Sequence, residues 1–315
     1  MPRREHPQST WDEAVVRDAR RLVALALEED LAGGRDWTSL CLADPSLLGS
    51  ASLVVREPGR VAGLPIVPLV VEALASGALG GRLTFTPLAE EGQPVAPGDA
   101  IGHLAGMAID LLAAERTVLN FLGRMCGIAT LTARFVAETD GTAAHIYDTR
   151  KTTPGWRRLE KYAVRVGGGR NHRMSLSDAV LIKDNHLALR TGSDGEPLSP
   201  AQAVLRARAF FADPGRPAGA PADPILEIEV DTLDQLEGVL PLAPDIVLLD
   251  NMAPEELRTA VAMRDRAGVP TELEASGGVT LATVRAIAAT GIDRISSGAL
   301  THHAVGLDVG LDWDE

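Results

Sequence analysis

Aromatic residues are scarce, at 3% of 315 positions, so the core has to be packed by Ala, Val, Leu and Ile. There are two cysteines, Cys41 and Cys126, and no CxxC pair, which excludes a disulfide framework and a cysteine-based zinc site. None of the seven histidines stands in HExxH or another close ligand spacing, which argues against a zinc centre. The longest apolar stretch, Val61 to Gly81, is interrupted by Pro65, Pro68 and Glu72. A membrane-spanning helix needs about 20 consecutive apolar residues, and no segment comes near that. The opening MPRREHPQSTWDE has no apolar centre to act as a secretion signal. Excess positive charge is lacking too. Thirty basic against 43 acidic side chains leave −13, which excludes general binding to nucleic acid or to anionic membrane. The expectation is a soluble cytoplasmic protein that holds any anionic ligand with a local basic patch.

What is present begins with a helix. Thr10 and Glu13 fit a capping box, and Val15, Ala19, Leu22, Val23, Ala26 and Leu27 follow at helical spacing. Strand candidates Ala51–Arg56, Arg60–Ala62, Arg82–Thr86 and Ala100–Leu104, with a helix near Pro65–Ser76, make a small α+β region. A long helical pattern runs from Ile109 to Glu138, with breaks expected near Gly123 and Gly127 because glycine costs roughly 1 kcal/mol inside a helix. From residue 144 the rhythm changes to six short apolar runs, mostly with helical patterns between them: His145–Tyr147, Ala179–Ile182, Ile225–Val230, Asp245–Leu249, Glu272–Ala275 and Ile292–Ser296. Alternating β and α elements imply parallel strands. Polar groups gather at the ends of these runs: Asp148-Thr149-Arg150-Lys151, Lys183-Asp184, Glu229, Asp250, Ser276-Gly277-Gly278 and Ser297-Gly298. Such a gathering at carboxyl ends is where barrel active sites lie, and its spread over all six runs favours a closed or nearly closed barrel. The stretch 190–224, with six Pro and four Gly around a helix at Ala201–Phe211, reads as a surface loop or insertion.

Between Arg150 and Arg173 stand eight cations (Arg150, Lys151, Arg157, Arg158, Lys161, Arg165, Arg170 and Arg173) and a single carboxylate, Glu160. For Arg157, Arg158, Lys161 and Arg165 a solvated helix face is as good a reading as a ligand site. Arg150, Lys151, His172 and Arg173 sit in loop sequences, DTRKTTPG and GGGRNHR, and point to anion binding. The planar fork of arginine grips a carboxylate or phosphate through two parallel hydrogen bonds. Gly167-Gly168-Gly169 would let backbone approach such a ligand. Lys183, ending AVLIK, could be an anion ligand, a Schiff-base lysine or a structural strand-end cation. Glu227 and Glu229 share one strand face. Glu229 and Asp250 at strand mouths suit Mg²⁺, held directly or through water, or a salt-bridge network with lysines. The two Ser-Gly loops, Ser276-Gly277-Gly278 and Ser297-Gly298-Ala299, suit a terminal phosphate bound by backbone N–H groups and a hydroxyl. The residues alone indicate a transferase or lyase acting on a phosphorylated, carboxylated small molecule.

At these residues the chain resembles the quinolinate phosphoribosyltransferase family. The segments that carry the resemblance are ALEEDLAGGRDWTS (26–39), ERTVLNFLGRMCGIATLT (115–132), DTRKTTPGWRRLEKYAVRVGGGRNHRMSLSDAVLIKDNH (148–186), EIEVDTLDQL (227–236), DIVLLDN (245–251), EASGGVT (274–280) and RISSGALTH (294–302). The resemblance implies an α/β fold: an N-terminal α/β sandwich over 1–115, completed by 303–315, and an α/β barrel with a six-stranded parallel core over 116–302. It implies conversion of quinolinate and phosphoribosyl pyrophosphate, with Mg²⁺, into nicotinate mononucleotide, pyrophosphate and CO₂, a step of de novo NAD synthesis. It further implies a homodimer in which Arg116 of the ERT motif enters the neighbouring site. Arg116, Thr149, Arg150, His172 and Arg173 would then hold quinolinate. Lys151 and Lys183 would lie between quinolinate and pyrophosphate, Glu229 and Asp250 would hold ribose hydroxyls or Mg²⁺, and the Ser-Gly loops the 5′-phosphate. Trp156 stands where the family commonly has a smaller aliphatic residue.

Two rival readings remain at this point. One is a phosphoribosyltransferase acting on nicotinate or another pyridine without decarboxylation, which would need fewer cations than Arg116, Arg150, His172 and Arg173 provide. The other is a non-catalytic polyanion-binding module built on the 150–173 cluster, which leaves Glu229, Asp250 and the Ser-Gly loops without a purpose.

Overall fold

Asp12, and not Thr10, starts the first helix. Its carboxylate accepts from the Val15 N–H at 2.9 Å, so helix α1 runs Glu13–Leu31 and the Thr10–Glu13 capping box does not form. A carboxylate one residue before the helix satisfies an orphan N–H that Thr10, two residues further out, does not reach. Val15, Ala19, Val23 and Leu27 are the buried stripe. The computed structural model describes residues 4–76, 83–189 and 195–314; the Arg82 end of one expected strand and residues 190–194 of the Pro/Gly-rich stretch lie outside the described residues.

Helix α2 (Trp37–Leu42) precedes strand β1 (Leu48–Val55) and a short β2 (Gly59–Arg60). Helix α3 (Val67–Ser76), strands β3 (Leu83–Pro87), β4 (Pro94–Val95) and β5 (Ala100–Met107), and helix α4 (Ala108–Ala137) follow. Next come β6 (His145–Tyr147), α5 (Arg157–Val166), β7 (Ala179–Ile182), β8 (Ile225–Val230), β9 (Ile246–Asp250), β10 (Glu272–Ser276), β11 (Arg294–Ser296) and β12 (Val309–Trp313). By compactness the chain forms two discontinuous units. One comprises 8–134, 151–169 and 300–314, and the other comprises 4–7, 135–150 and 170–299, a division different from 1–115 and 116–302. The difference arises because α4 packs with the first unit's segments as far as Arg134, so the boundary falls near the end of the helix and not at residue 115.

The first unit holds an antiparallel sheet in the order β12-β1-β5-β3. The last strand pairs along β1 from Ala51↔Trp313 to Val55↔Val309, and Arg56 pairs with Asp312 beside it. Helix α4 runs unbroken for 30 residues, so the expected breaks at Gly123 and Gly127 do not occur. The glycines serve close backbone packing instead. A Cβ on Gly127 would lie 2.0 Å from the Val305 carbonyl oxygen, and the Gly123 carbonyl accepts from the Leu307 N–H at 2.9 Å. The same logic applies to the glycine triplet: Cβ atoms on Gly167 and Gly169 would strike Ala129 and Thr132 of α4. Their small size therefore fits α5 against α4 and does not, as the sequence suggested, clear room for a ligand. Trp156 stacks on Phe121 with ring centroids 4.8 Å apart. Gly127→Ala is expected to lower the melting temperature by several degrees. Overpacking costs about 1–3 kcal/mol, more than the roughly 1 kcal/mol that alanine gains over glycine in a helix. An unchanged thermal melt would contradict this close approach.

The second unit is a six-stranded parallel sheet in the order β6-β11-β10-β9-β8-β7. All six expected runs are strands, with ends shifted by two residues or fewer. The sheet curls as a barrel whose edge strands are β6 and β7. Beside β6, Arg170 makes a parallel bridge to Tyr147. The helix expected at Ala201–Phe211 is Pro200–Ala212, capped by Ser199. Among the described residues no helix is long and apolar enough to cross a membrane.

Candidate active site

Strand alternation and register set the barrel's interior in layers. Ala179, Ile225 and Ile246 form an apolar floor. By register Glu227 lies beside Ile246, and Leu248 has Glu229 on one side and Glu274 on the other, with Glu274 paired in turn to Arg294. A further step brings Glu229, Asp250 and Ser276 to the carboxyl ends, with Ser276 in register with Asp250. Glu227 and Glu229 do share a face, as their spacing requires.

The middle layer is a buried ionic network. Arg294 is fully buried. Its Nε donates to Glu274 Oε2 at 2.9 Å, its Nη1 to Glu272 Oε2 at 3.2 Å, and its guanidinium lies 3.8 Å from the Tyr147 ring centre. His172 Nε2 lies 3.0 Å from Glu227 Oε2 and 3.8 Å from Glu274 Oε1. The Arg173 N–H donates to His172 Nδ1 at 2.8 Å, which makes Nε2 the proton-bearing nitrogen of the neutral ring. Burial disfavours the imidazolium, yet Glu227 and Glu274 outweigh it and raise the His172 pKa. Asp148, fully buried at the end of β6, accepts from Asn171 Nδ2 at 2.6 Å and from the His172 N–H at 2.9 Å. The 171–173 loop is thus held by a carboxylate that the sequence placed in the DTRK motif without a role.

Arg173 is buried, and its Nη1 donates to the Ala179 carbonyl at 3.2 Å. Its Nε makes no hydrogen bond among the described residues. Burial, and then the like charge of Arg150, pull its pKa below the ordinary arginine value. Thr149 and Arg150 are half-buried where β6 ends. Two guanidinium groups in each other's field can take up an anion, which would relieve their repulsion.

Lys183 Nζ meets Glu229 Oε2 at 2.5 Å. This ion pair is the salt-bridge alternative that the sequence offered for Glu229. Asp250 Oδ2 accepts from Asn251 Nδ2 at 2.6 Å. Gly277, at φ +87°, is required there, since its Cβ would lie 2.2 Å from Asn251 Oδ1. Gly278 follows at φ +61°, so two successive residues take positive φ, a conformation open to glycine. In the other loop, buried Ser297 donates its hydroxyl to the Val279 carbonyl at 3.1 Å, which ties the two loops together. The Ser297 N–H donates to the Tyr147 carbonyl at 3.0 Å and the Ala299 N–H to Ser297 Oγ at 3.3 Å, so these donors of the loop are engaged within the fold. Gly298 and Ala299 are half-buried beside it.

Arg116 and Lys151 belong to the first unit. Arg116 is exposed on α4, and Lys151 is exposed while its carbonyl accepts from Thr301 Oγ1 at 2.5 Å. The remaining cations of the cluster are structural. Lys161 is fully buried, Arg158 binds Asp18 at 2.8 Å, Arg165 donates to the Gly169 carbonyl at 2.7 Å and Arg157 to Thr152 at 3.0 Å. Buried Glu160 takes Arg124 at 2.7 Å. So α5 is not a solvated face.

Comparison with known proteins resolves the identity of this arrangement. Residues 36–126 match the N-terminal domain, and 128–312 the C-terminal domain, of quinolinate phosphoribosyl transferase. The chain belongs to the quinolinate phosphoribosyltransferase family. It is 41% identical to the carboxylating nicotinate-nucleotide pyrophosphorylase of Mycobacterium leprae over 93% of this chain and 96% of that one. It is 35% identical to the chloroplastic carboxylating enzyme of Arabidopsis thaliana, over 94% and 83% of the two chains. The structure of the nicotinate-nucleotide pyrophosphorylase from Francisella tularensis superposes with a TM-score of 0.83 at 33% identity, covering 99% of this chain and all of that one. Mg²⁺, which the family implies, takes oxygen donors. Glu229 and Asp250 offer carboxylate oxygens at the ends of neighbouring strands, so the residues present fit that ion.

Sequence reasoning missed Glu5, His6, Glu274 and Arg294, and it named Asp148 only as the end of the first run, without a role. Glu274 could have been noticed as a carboxylate inside an apolar run. Nothing in the spacing marks His6, which lies far from His172 in the chain yet stacks on it.

Proposed function

We propose that this chain transfers the phosphoribosyl group of phosphoribosyl pyrophosphate to quinolinate with loss of CO₂, giving nicotinate mononucleotide and pyrophosphate for de novo NAD synthesis. The carrying observation is the arginine pair: Arg173 is buried, has no hydrogen-bond partner for Nε among the described residues, and has its pKa pulled down by burial and by the neighbouring Arg150. An acceptor with carboxylates on adjacent ring carbons offers two negative charges to such a pair, with His172 beside it. A monocarboxylate acceptor would leave part of this charge unmatched, which disfavours nicotinate.

The pyridine nitrogen attacks the anomeric carbon as pyrophosphate departs. Lys183 and Lys151 neutralise charge between acceptor and leaving group, and the Gly277-Gly278 turn with the 297–299 loop receives the 5′-phosphate. Positioning and charge stabilisation supply most of the rate. Decarboxylation follows at the carbon beside the ribosylated nitrogen: the C–CO₂ bond breaks, the cationic ring stabilises the carbanion, and a proton from water then fills that position. Glu229 and Asp250 bind ribose hydroxyls or Mg²⁺, directly or through water; the ion would supply charge neutralisation at pyrophosphate. The proposal includes a cytoplasmic homodimer in which Arg116, exposed on α4, completes the neighbour's acceptor clamp.

Incubation with quinolinate, phosphoribosyl pyrophosphate and Mg²⁺ should yield nicotinate mononucleotide and CO₂ in equal amounts. Product without CO₂, or turnover of nicotinate in preference, would replace this reading with the non-decarboxylating one. No product at all would favour a binding module. Excess chelator is expected to abolish turnover, with Mg²⁺ restoring it; full activity in chelator would remove the metal assignment from Glu229 and Asp250.

A further inference from the structure

Residues 4–7 pack with the barrel unit, far in sequence from its strands. Each side chain from Arg4 to His6 is engaged there. Arg4 Nη1 lies 3.2 Å from both carboxylate oxygens of Asp245, and its Nη2 donates to the Asp223 carbonyl at 2.7 Å. Glu5 accepts from the Tyr147 hydroxyl at 2.7 Å and from Arg170 Nη1 at 2.5 Å, and lies 3.6 Å from Arg294. His6, 1% exposed, stacks on the His172 ring with centroids 4.7 Å apart and planes 30° from parallel.

His172 is therefore fixed on three sides. The Arg173 N–H holds Nδ1, Glu227 faces Nε2, and the His6 ring covers one face of the imidazole. We propose that the 4–7 segment is a strap whose His6 positions His172 and, through the shared 172–173 backbone, the acceptor-binding Arg173. His6 is a positioning residue: it acts on the acceptor's carboxylates only through His172. The charged anchors at Arg4 and Glu5 fix where its ring can go, and a buried ring pair resists tilting because any tilt opens a void in a close-packed interior.

This inference rests on His172 belonging to the acceptor site. The test compares His6→Ala, His6→Phe and His172→Ala in the full-length protein, with KM for each substrate, kcat, thermal melts and metal content. Losing a stacked ring is expected to raise KM for quinolinate about three- to tenfold in His6→Ala. KM for phosphoribosyl pyrophosphate and kcat should stay within about twofold, since the strap makes no contribution at the sugar-phosphate end. His6→Phe, which restores a ring of similar size, should return KM for quinolinate to within about twofold of the starting protein. A purely structural role predicts otherwise: both KM values and kcat would worsen together with the melt, and that result would overturn the proposal. So would an unchanged KM for quinolinate in His6→Ala. If His172→Ala also leaves that KM unchanged, the acceptor-site reading falls with it; if His172→Ala raises it and His6→Ala does not, only the strap falls. Donor atoms of His6, His172 and Glu227 all lie within 4.8 Å of one another. Stoichiometric zinc in the purified protein that is lost in His6→Phe would replace positioning with metal ligation.

Discussion

Arg116→Ala and Lys151→Ala should each be nearly inactive alone, and a mixture whose subunits exchange should regain roughly a quarter of wild-type turnover. The proportion follows from symmetry. A hybrid dimer carries one site with both residues intact and one with neither, provided that Arg116 serves the neighbour's site while Lys151 serves its own. At equal mixing about half of the dimers are hybrids, and each has one working site of two. Arg116 is suited to this role because its side chain is exposed on α4. Exchange must be verified with an independent label. Confirmed exchange without recovery would place Arg116 in its own subunit's site or outside any site.

Arg150→Lys and Arg173→Lys should each lower kcat/KM for quinolinate at least about tenfold while the melting temperature stays near that of the parent. A charged hydrogen-bonded contact is worth about 1.5–3 kcal/mol, and lysine offers a point charge where the fork gave two parallel donors. For Arg173 the change has a second consequence. Lysine cannot both reach the Ala179 carbonyl, as Nη1 now does, and present the remaining donors that Arg173 aims elsewhere. Near-normal kcat/KM in both variants would remove the pair from the acceptor site, and with it the main support for a dicarboxylate substrate.

The six parallel strands could be read from the chain because each apolar run is short and stops at a charged or glycine-containing turn, as at Glu229, Asp250 and Ser276. The same stops marked the candidate site. What could not be read are the places where a distant segment changes the local rule. Gly123 and Gly127 look like helix breaks until the backbone at Val305 and Leu307 is seen lying against them. Lys161 and Glu160 look like surface residues, but Glu160 accepts Arg124 from another helix and both are buried. The capping box at Thr10 lost to Asp12 over a shift of two residues, a margin that pattern alone does not resolve. Most of all, the barrel interior is ionic where apolar packing is the usual expectation, and the pairing of Arg294 with Glu272 and Glu274 depends on strand register.

The discontinuity of both units bears on how the chain folds. The barrel cannot receive Glu5 and His6 until Tyr147, His172 and Arg294 have been made and paired, although the strap precedes all three in the chain. The antiparallel sheet has the opposite problem, for β1 is synthesised early and gains its outer partner, β12, only with the last residues. Vectorial synthesis therefore cannot finish one unit before the other begins. Pairing over such sequence distances carries a large loop-closure cost and slows folding. Until β12 arrives, β1 presents an unpaired edge of the kind that recruits other chains. Refolding from denaturant should accordingly be slow and sensitive to protein concentration, and chains ending before Val309 should aggregate more readily than the full-length protein.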